Sequence, residues 1–514
     1  MSVAAEPAAF RSLLLDLLAP LPPEAEPLER QPVTGEPRLL IGGELGPAAG
    51  GRTFAVVDPS SGEAVGEAAD ASLEDMERAI AAARQALDRT GWANDHELRA
   101  RCLRQLQAAM RAEAETLRRD LVAEIGCVVR MTYGDQLDRP IEKLGFYADL
   151  AERYPYATRL GGGAELAGNW LFREPVGVVG AITPWNIPVE LDLAKVGAAL
   201  AAGCTVVLKP SPLSPWSAAH LGRLVAGATE LPAGVFNVVP SSSNEVAALL
   251  TTDPRVDAVA FTGSTATGRR VMAAAAGTVK RVMLELGGKS ANVILEDADL
   301  EAIVPLAASF VCFNAGQSCI LPSRLLVPRS RAEECVELAA QGLAAVPCGD
   351  PTDPDVFMGP LISEAQRERV EGFVRRGVDE GARLVTGGAR REGPGFHFEP
   401  TLLADVAAGA TVAQEEVFGP VLSVLAYEDD DDAVEIANGT MYGLAGYVWG
   451  GDPERAVGVA RRLRTGMVAV NGGTFIGADL PFGGRGQSGI GREWGVAGFE
   501  EFLELKSVGV GPPG

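Results

Sequence analysis

The stretch Val176-Gly177-Val178-Val179-Gly180-Ala181-Ile182-Thr183-Pro184-Trp185-Asn186 decides how the rest of the chain reads. Its first seven residues are apolar or glycine with no polar alternation, the pattern of a short strand buried on both faces. Similar runs recur at residues 204–208, 235–239, 256–261 and 282–286, separated by helical stretches such as 191–202 and 217–228. Continuous apolar strands alternating with helices predict a parallel sheet covered on both sides. This is a dinucleotide-binding architecture, and ligands of such sheets lie outside the carboxyl ends of the strands.

The polar motifs fall where that rule wants them. Thr183 to Asn186 follow the first strand, Lys209 follows the second, and Gly263-Ser264 follow the fourth and open a helix. A helix amino terminus favours negative charge through its free N–H groups and its dipole, and Gly263 lets a pyrophosphate approach closely. The run Gly263-Ser264-Thr265-Ala266-Thr267-Gly268 is not the usual G-x-G-x-x-G. By itself it reads equally well as a serine capping an ordinary helix.

From Gly288 to about Val470 a second α/β region follows, with apolar runs at 325–327, 383–385, 421–425, 446–449 and 467–470. Within it Cys319 comes straight after Gly316-Gln317-Ser318, which presents a cysteine on a turn and suits a reactive thiol. The alternative is a buried cysteine acting as a small hydrophobe.

Upstream, residues 39–57 predict short strands at the edge of a domain. Ser72 with Asp75 three positions on begins a helix, and further helical stretches cover about 97–125 and 136–154. Residues 158–160 and 165–172 flank Gly161-Gly162-Gly163 and predict a hairpin. The first 35 or so residues hold Phe10 and a leucine-rich run with Asp16 inside it, followed by Pro20, Pro22 and Pro23. That is a short amphipathic helix and a linker, lacking the basic start and long apolar core of a signal peptide.

At 514 residues the chain is too long for one ordinary domain, and 47% hydrophobic with 22% charged residues is a globular composition. The formal charge of −23 and the lack of a basic stripe argue against nucleic acid as a partner. Seven cysteines without Cys-x-x-Cys spacing fit neither a disulfide framework nor a zinc site, so a reducing, cytoplasmic setting is expected. His96, His220 and His397 lie outside the dense motifs, which leaves a cysteine–histidine pair unsupported. The acidic run from Glu428 to Asp432 precedes a helix, where such charges are favourable without a metal, and no metal is expected. No apolar run reaches the length of about 18 residues that a membrane span needs.

Three blocks in order, Thr183-Pro184-Trp185-Asn186-Ile187-Pro188, Leu284-Glu285-Leu286-Gly287-Gly288-Lys289 and the segment around Cys319, resemble the aldehyde dehydrogenase superfamily. Phe261-Thr262-Gly263-Ser264-Thr265, Glu415-Glu416-Val417-Phe418-Gly419-Pro420 and Pro481-Phe482-Gly483-Gly484 with Ser488-Gly489-Ile490-Gly491-Arg492-Glu493 extend the resemblance over about residues 39–508. It implies two doubly wound α/β domains, a Rossmann-like cofactor domain and a catalytic domain, with a small β oligomerisation arm. The expected division is 1–35 as an extension, 36–154 and 174–286 as the cofactor domain, 155–173 and 500–514 as the arm, and 287–499 as the catalytic domain. The last strand, 502–510, is expected to pair with the arm of another subunit.

The implied reaction is oxidation of an aldehyde to the acid. Cys319 is the nucleophile, Asn186 an oxyanion donor together with the backbone N–H of Cys319, Glu285 the general base, and Lys195 an aid to proton movement. Ile182, Thr183, Pro184, Trp185, Lys209, Gly263, Ser264, Gly268, Leu286, Glu416 and Phe418 match the family's cofactor contacts. NAD is favoured, but Pro212 stands where many NAD-preferring relatives have a glutamate that would repel a 2′-phosphate, which leaves NADP open. Glu190, Leu191, Ala194, Phe313, Ile320, Phe475, Ile476 and Phe482 are placed along the substrate tunnel, and their mostly apolar character favours an apolar aldehyde. A homodimer or homotetramer is expected. Two other functions stay open at this point, acyl transfer to coenzyme A and a binding protein that keeps the fold; Glu285 disfavours the first, and the joint presence of Cys319, Glu285 and Asn186 disfavours the second.

Overall fold

A computed structural model describes residues 7–21, 28, 33, 35–160 and 168–511. Its largest sheet has five parallel strands at its centre, in spatial order Arg281–Glu285, Ala258–Thr262, Val178–Ile182, Thr205–Lys209 and Phe236–Val238. Short antiparallel strands flank both sides, Gly489–Ile490 beside Arg281–Glu285, and Leu39–Ile41 beside Phe236–Val238 with Glu44–Gly46 at the outer edge. The register pairs Ile182 with Lys209 and Phe261, and Thr262 with Glu285, so the carboxyl ends where the motifs sit lie side by side. A second sheet of seven strands runs Arg383–Thr386, Thr401–Ala404, Val421–Tyr427, Arg324–Pro328, Ala291–Ile294, Ala445–Trp449 and Met467–Val470. All its pairings are parallel except the first. Each sheet has its own apolar core, as strands without polar alternation require.

Four expectations need correction. The helix predicted over 97–125 is two, His96–Ala112 and Ala114–Ile125; Glu113 leaves helical geometry and pairs with Arg223, and the break lets both apolar faces reach the core. The next long helix starts two residues later than expected, at Asp138, because Leu137 before it has non-helical geometry, and the Gln136 side chain donates to the Asn186 carbonyl at 2.9 Å. Only part of 39–57 edges the large sheet, since Thr53–Val57 pairs with Ala64–Ala69 in a separate ribbon. Finally, Leu503–Val510 pairs antiparallel with Gly168–Pro175 of its own chain, which also pairs with Ala157–Leu160. This strand follows the helix Gly495–Glu500 directly, and the neighbouring edge within the chain is already in register to receive it. The glycines at 161–163 lie outside the described residues.

The acidic run is structural: Asp429 caps the helix Asp430–Asn438, while Arg329, Arg455 and Arg462 pair with Glu428, Asp430 and Asp431. Among the described residues no cluster of potential ligands could hold a metal ion, and no helix is long and apolar enough to cross a membrane.

Candidate active site

Between the carboxyl ends of the first sheet and the cysteine segment of the second lies a cavity of about 410 Å³. Cys319, Glu285 and Asn186 all line it, as do Pro184, Trp185, Gly263, Ser264, Leu286, Glu416 and Phe418. The lining also includes Glu190 and Leu191, from the helix Pro188–Ala202 that packs with the first sheet, and Phe313, Ile320, Phe475, Ile476 and Phe482. Ala194 is the exception among the tunnel candidates. It is buried in the apolar core on the helix Pro188–Ala202 and does not line the cavity. Ile182, Thr183, Lys209 and Gly268 also lie outside its lining. Gly268 instead packs under Leu286, where an added Cβ would lie 2.5 Å from a Leu286 methyl.

The cysteine segment is held in an unusual backbone path. Asn314, Ala315 and Gly316 are all left-handed, with φ of 50°, 53° and 77°. Such geometry costs roughly 1–3 kcal/mol for a non-glycine residue and persists only where its surroundings enforce it. The enforcement is visible: the Asn314 side-chain amide donates to the carbonyls of Asn186 at 3.0 Å and Gln317 at 3.2 Å, and the Gln317 side-chain carbonyl accepts from Ile362 N–H at 2.9 Å. Gly316 fits because a Cβ there would meet the Gly419 carbonyl carbon at 2.0 Å. The Asn186 side-chain amide donates to the Gln317 carbonyl at 3.1 Å. That uses one of its two hydrogens and leaves the second for a ligand oxygen beside Cys319.

Charge is concentrated and largely dehydrated. Glu285 ends its strand with both carboxylate oxygens buried and lacking hydrogen-bond partners. Burial, reinforced by the negative charge of Glu493, holds its pKa well above the ordinary carboxylate range. Cys319 is reachable from the cavity yet sits deep in the protein, and burial followed by the charges of Glu416, Glu285 and Glu493 pushes its thiol pKa upward. Lys195 forms a buried ion pair with Glu493 and donates to Thr262 Oγ at 2.6 Å. Glu493 also lines the cavity, so Lys195 reaches the site through it.

The parts facing the first sheet fit a dinucleotide. Ser264 caps the helix Thr265–Ala275, whose amino terminus opens just beyond a strand end. Lys209 is buried at the end of the strand Thr205–Lys209, on the far side of Val178–Ile182 from the strand that leads into this helix, and burial lowers its pKa to about 8. The Glu416 carboxylate accepts from Gly288 N–H at 3.0 Å, is raised to about 7 by burial, and suits ribose hydroxyls. Phe418 lies edge-on to Trp185 at 5.4 Å, leaving flat apolar surface for a ring.

Single-sequence reading missed several lining residues. Phe310 and Glu493 stood in quoted motifs without a role; Leu321, Leu480 and Trp494 are apolar residues that nothing in the pattern sets apart from core. Gln366 and Arg369 lie on a distant helix and hold the Glu416–Phe418 loop by donating to the Phe418 carbonyl at 2.7 Å and the Glu416 carbonyl at 2.8 Å. Leu17 comes from the amino-terminal helix.

Two doubly wound sheets with a thiol, a dehydrated carboxylate and an amide around one cleft define a dehydrogenase class. The aldehyde dehydrogenase family model matches residues 47–508, and the chain belongs to this family. It is an oxidoreductase acting on aldehydes. 3-Succinoylsemialdehyde-pyridine dehydrogenase from a Pseudomonas species is 43% identical over 464 residues, covering 89% of this chain and 95% of the relative. Geranial dehydrogenase from Castellaniella defragrans is 40% identical over 481 residues, covering 91% and 98%. A solved variant of aldehyde dehydrogenase C from Pseudomonas syringae, complexed with NAD+ and octanal, is 41% identical with a TM-score of 0.89 and covers 94% of this chain and 98% of its own.

Proposed function

We propose that this enzyme oxidises apolar aldehydes to carboxylic acids with NAD+, through a thioester on Cys319. The observation that carries the reading is the convergence of Cys319, Glu285 and Asn186 on one cavity whose remaining wall is chiefly aromatic and aliphatic. The Cys319 thiolate attacks the aldehyde carbon, and the resulting oxyanion takes the second Asn186 N–H and the Cys319 backbone N–H. The bound nicotinamide supplies the hydride acceptor. Loss of hydride from the tetrahedral carbon leaves Cys319 acylated. Glu285 then takes a proton from water, which attacks the thioester and frees the acid and the thiol. The Lys195–Glu493 pair lies beside Glu285 and offers that proton a route.

NAD+ is supported by the relatives solved with it, and by Asp70, whose charge reaches Lys209. A carboxylate close enough to act on Lys209 disfavours a 2′-phosphate. We place the enzyme in the cytoplasm on its seven free cysteines. We infer a homodimer or homotetramer formed through the three-stranded arm, which exposes Leu160 and Leu505. Native mass measurement tests the assembly.

The direct test is NADH formation from octanal by the wild-type enzyme and by Cys319→Ala. Activity is expected in the first and none in the second; turnover by the variant removes the nucleophile assignment.

A further inference from the structure

The helix Pro7–Leu18 is tied to the body on one side. Phe10, Leu14 and Leu18 are buried with Val128, Met131 and the second sheet's core, spaced four residues apart so that they share one face. Arg130 fixes the helix end by donating to the Ala19 carbonyl at 3.3 Å and by approaching Asp16 at 3.6 Å. Gly134 permits the close approach, since a Cβ there would lie 2.7 Å from the Leu18 carbonyl oxygen.

Leu17 is turned the other way, into the rim of the active-site cavity. Three apolar residues of that lining are similarly exposed, Leu17 at 39%, Ile476 at 37% and Leu480 at 38%, whereas Phe313 and Leu191 are at 8% and 9%. The first three therefore form the solvent end of the tunnel and the last two its interior. Leu13, on the exposed side of the same helix, does not line the cavity.

We propose that the amino-terminal helix completes the mouth of the aldehyde tunnel, and that Leu17 selects for aldehydes with long apolar tails. The assignment rests on the apolar-aldehyde reading above. A tail long enough to leave the interior covers Leu17 and removes its side chain from water, while a short aldehyde bound at Cys319 gains nothing there. Contact at the rim adds to binding in ground and transition states alike, so the effect belongs in KM more than in kcat.

The test compares octanal with propanal in the full-length enzyme and in Leu17→Ala, Leu17→Asp and Leu13→Ala. Alanine at a half-exposed helix position keeps the helix, so folding is preserved. Leu17→Asp is expected to lower the octanal-to-propanal ratio of kcat/KM by about tenfold, chiefly through KM, Leu17→Ala by a smaller factor, and Leu13→Ala not at all. An unchanged ratio in Leu17→Asp, or an equal fall in Leu13→Ala, overturns the assignment alone. A wild-type enzyme that prefers propanal overturns the apolar-tunnel reading and this assignment with it.

Discussion

Lys195 and Glu493, 298 positions apart in the chain, meet as a buried ion pair beside Glu285. The negative member of this pair acts on Glu285 and raises its pKa further, after burial has already raised it. Glu493→Gln removes that charge and leaves the Lys195 ammonium, and both changes favour ionised Glu285. The rise of kcat with pH should move toward acid. A profile that keeps its midpoint in Glu493→Gln would show that the pair does not govern the base. The variant should also lose stability, by about 3–5 kcal/mol if the lysine stays charged and unpaired, measurable as a lower Tm.

Burial raises the pKa of both groups proposed to react, Cys319 and Glu285, which favours their protonated forms. Thiolate and carboxylate are the working forms, so activity should increase from mildly acidic toward alkaline pH. Glu285→Gln should form the acyl-enzyme with one burst of NADH and then stall, detectable by mass spectrometry of the trapped thioester. Undiminished steady-state turnover in that variant contradicts the base assignment.

Asn186 is braced on its carbonyl by Gln136 at 2.9 Å and Asn314 at 3.0 Å. Its donor is therefore preorganised, and the cost of removing it should appear in kcat. Asn186→Ala should lower kcat about 100- to 1000-fold. A change confined to KM would make Asn186 a binding residue only.

Asp70 is anchored by the Ser242 N–H at 2.9 Å and by the Ser242 hydroxyl. Asp70→Arg replaces a repelling charge with one that attracts a 2′-phosphate, and should shift the NADP-to-NAD ratio of kcat/KM upward by about tenfold or more, as for 1.4 kcal/mol of changed interaction. Coenzyme preference that does not move would assign Asp70 to loop structure alone.

Reading the chain as sequence located the parallel strands, because a strand buried on both faces must be apolar throughout, and it located the motifs at strand ends, because those ends carry the polar turns. Cys319, Glu285 and Asn186 stood in motifs where an apolar run breaks off, but the roles expected of them came from the resemblance to the aldehyde dehydrogenase superfamily, and the structure adds that all three line one cavity. The pairing of Lys195 with Glu493 was not legible, since an ion pair between distant segments leaves no local trace. The closing strand was assigned to the wrong partner for a related reason: apolar alternation specifies a strand, while its neighbour depends on which edge lies within reach. Apolar lining was the least legible of all. Ala194 and Leu17 have the composition of any core helix, and only the packed tertiary arrangement turned the first into the interior and the second toward the cavity.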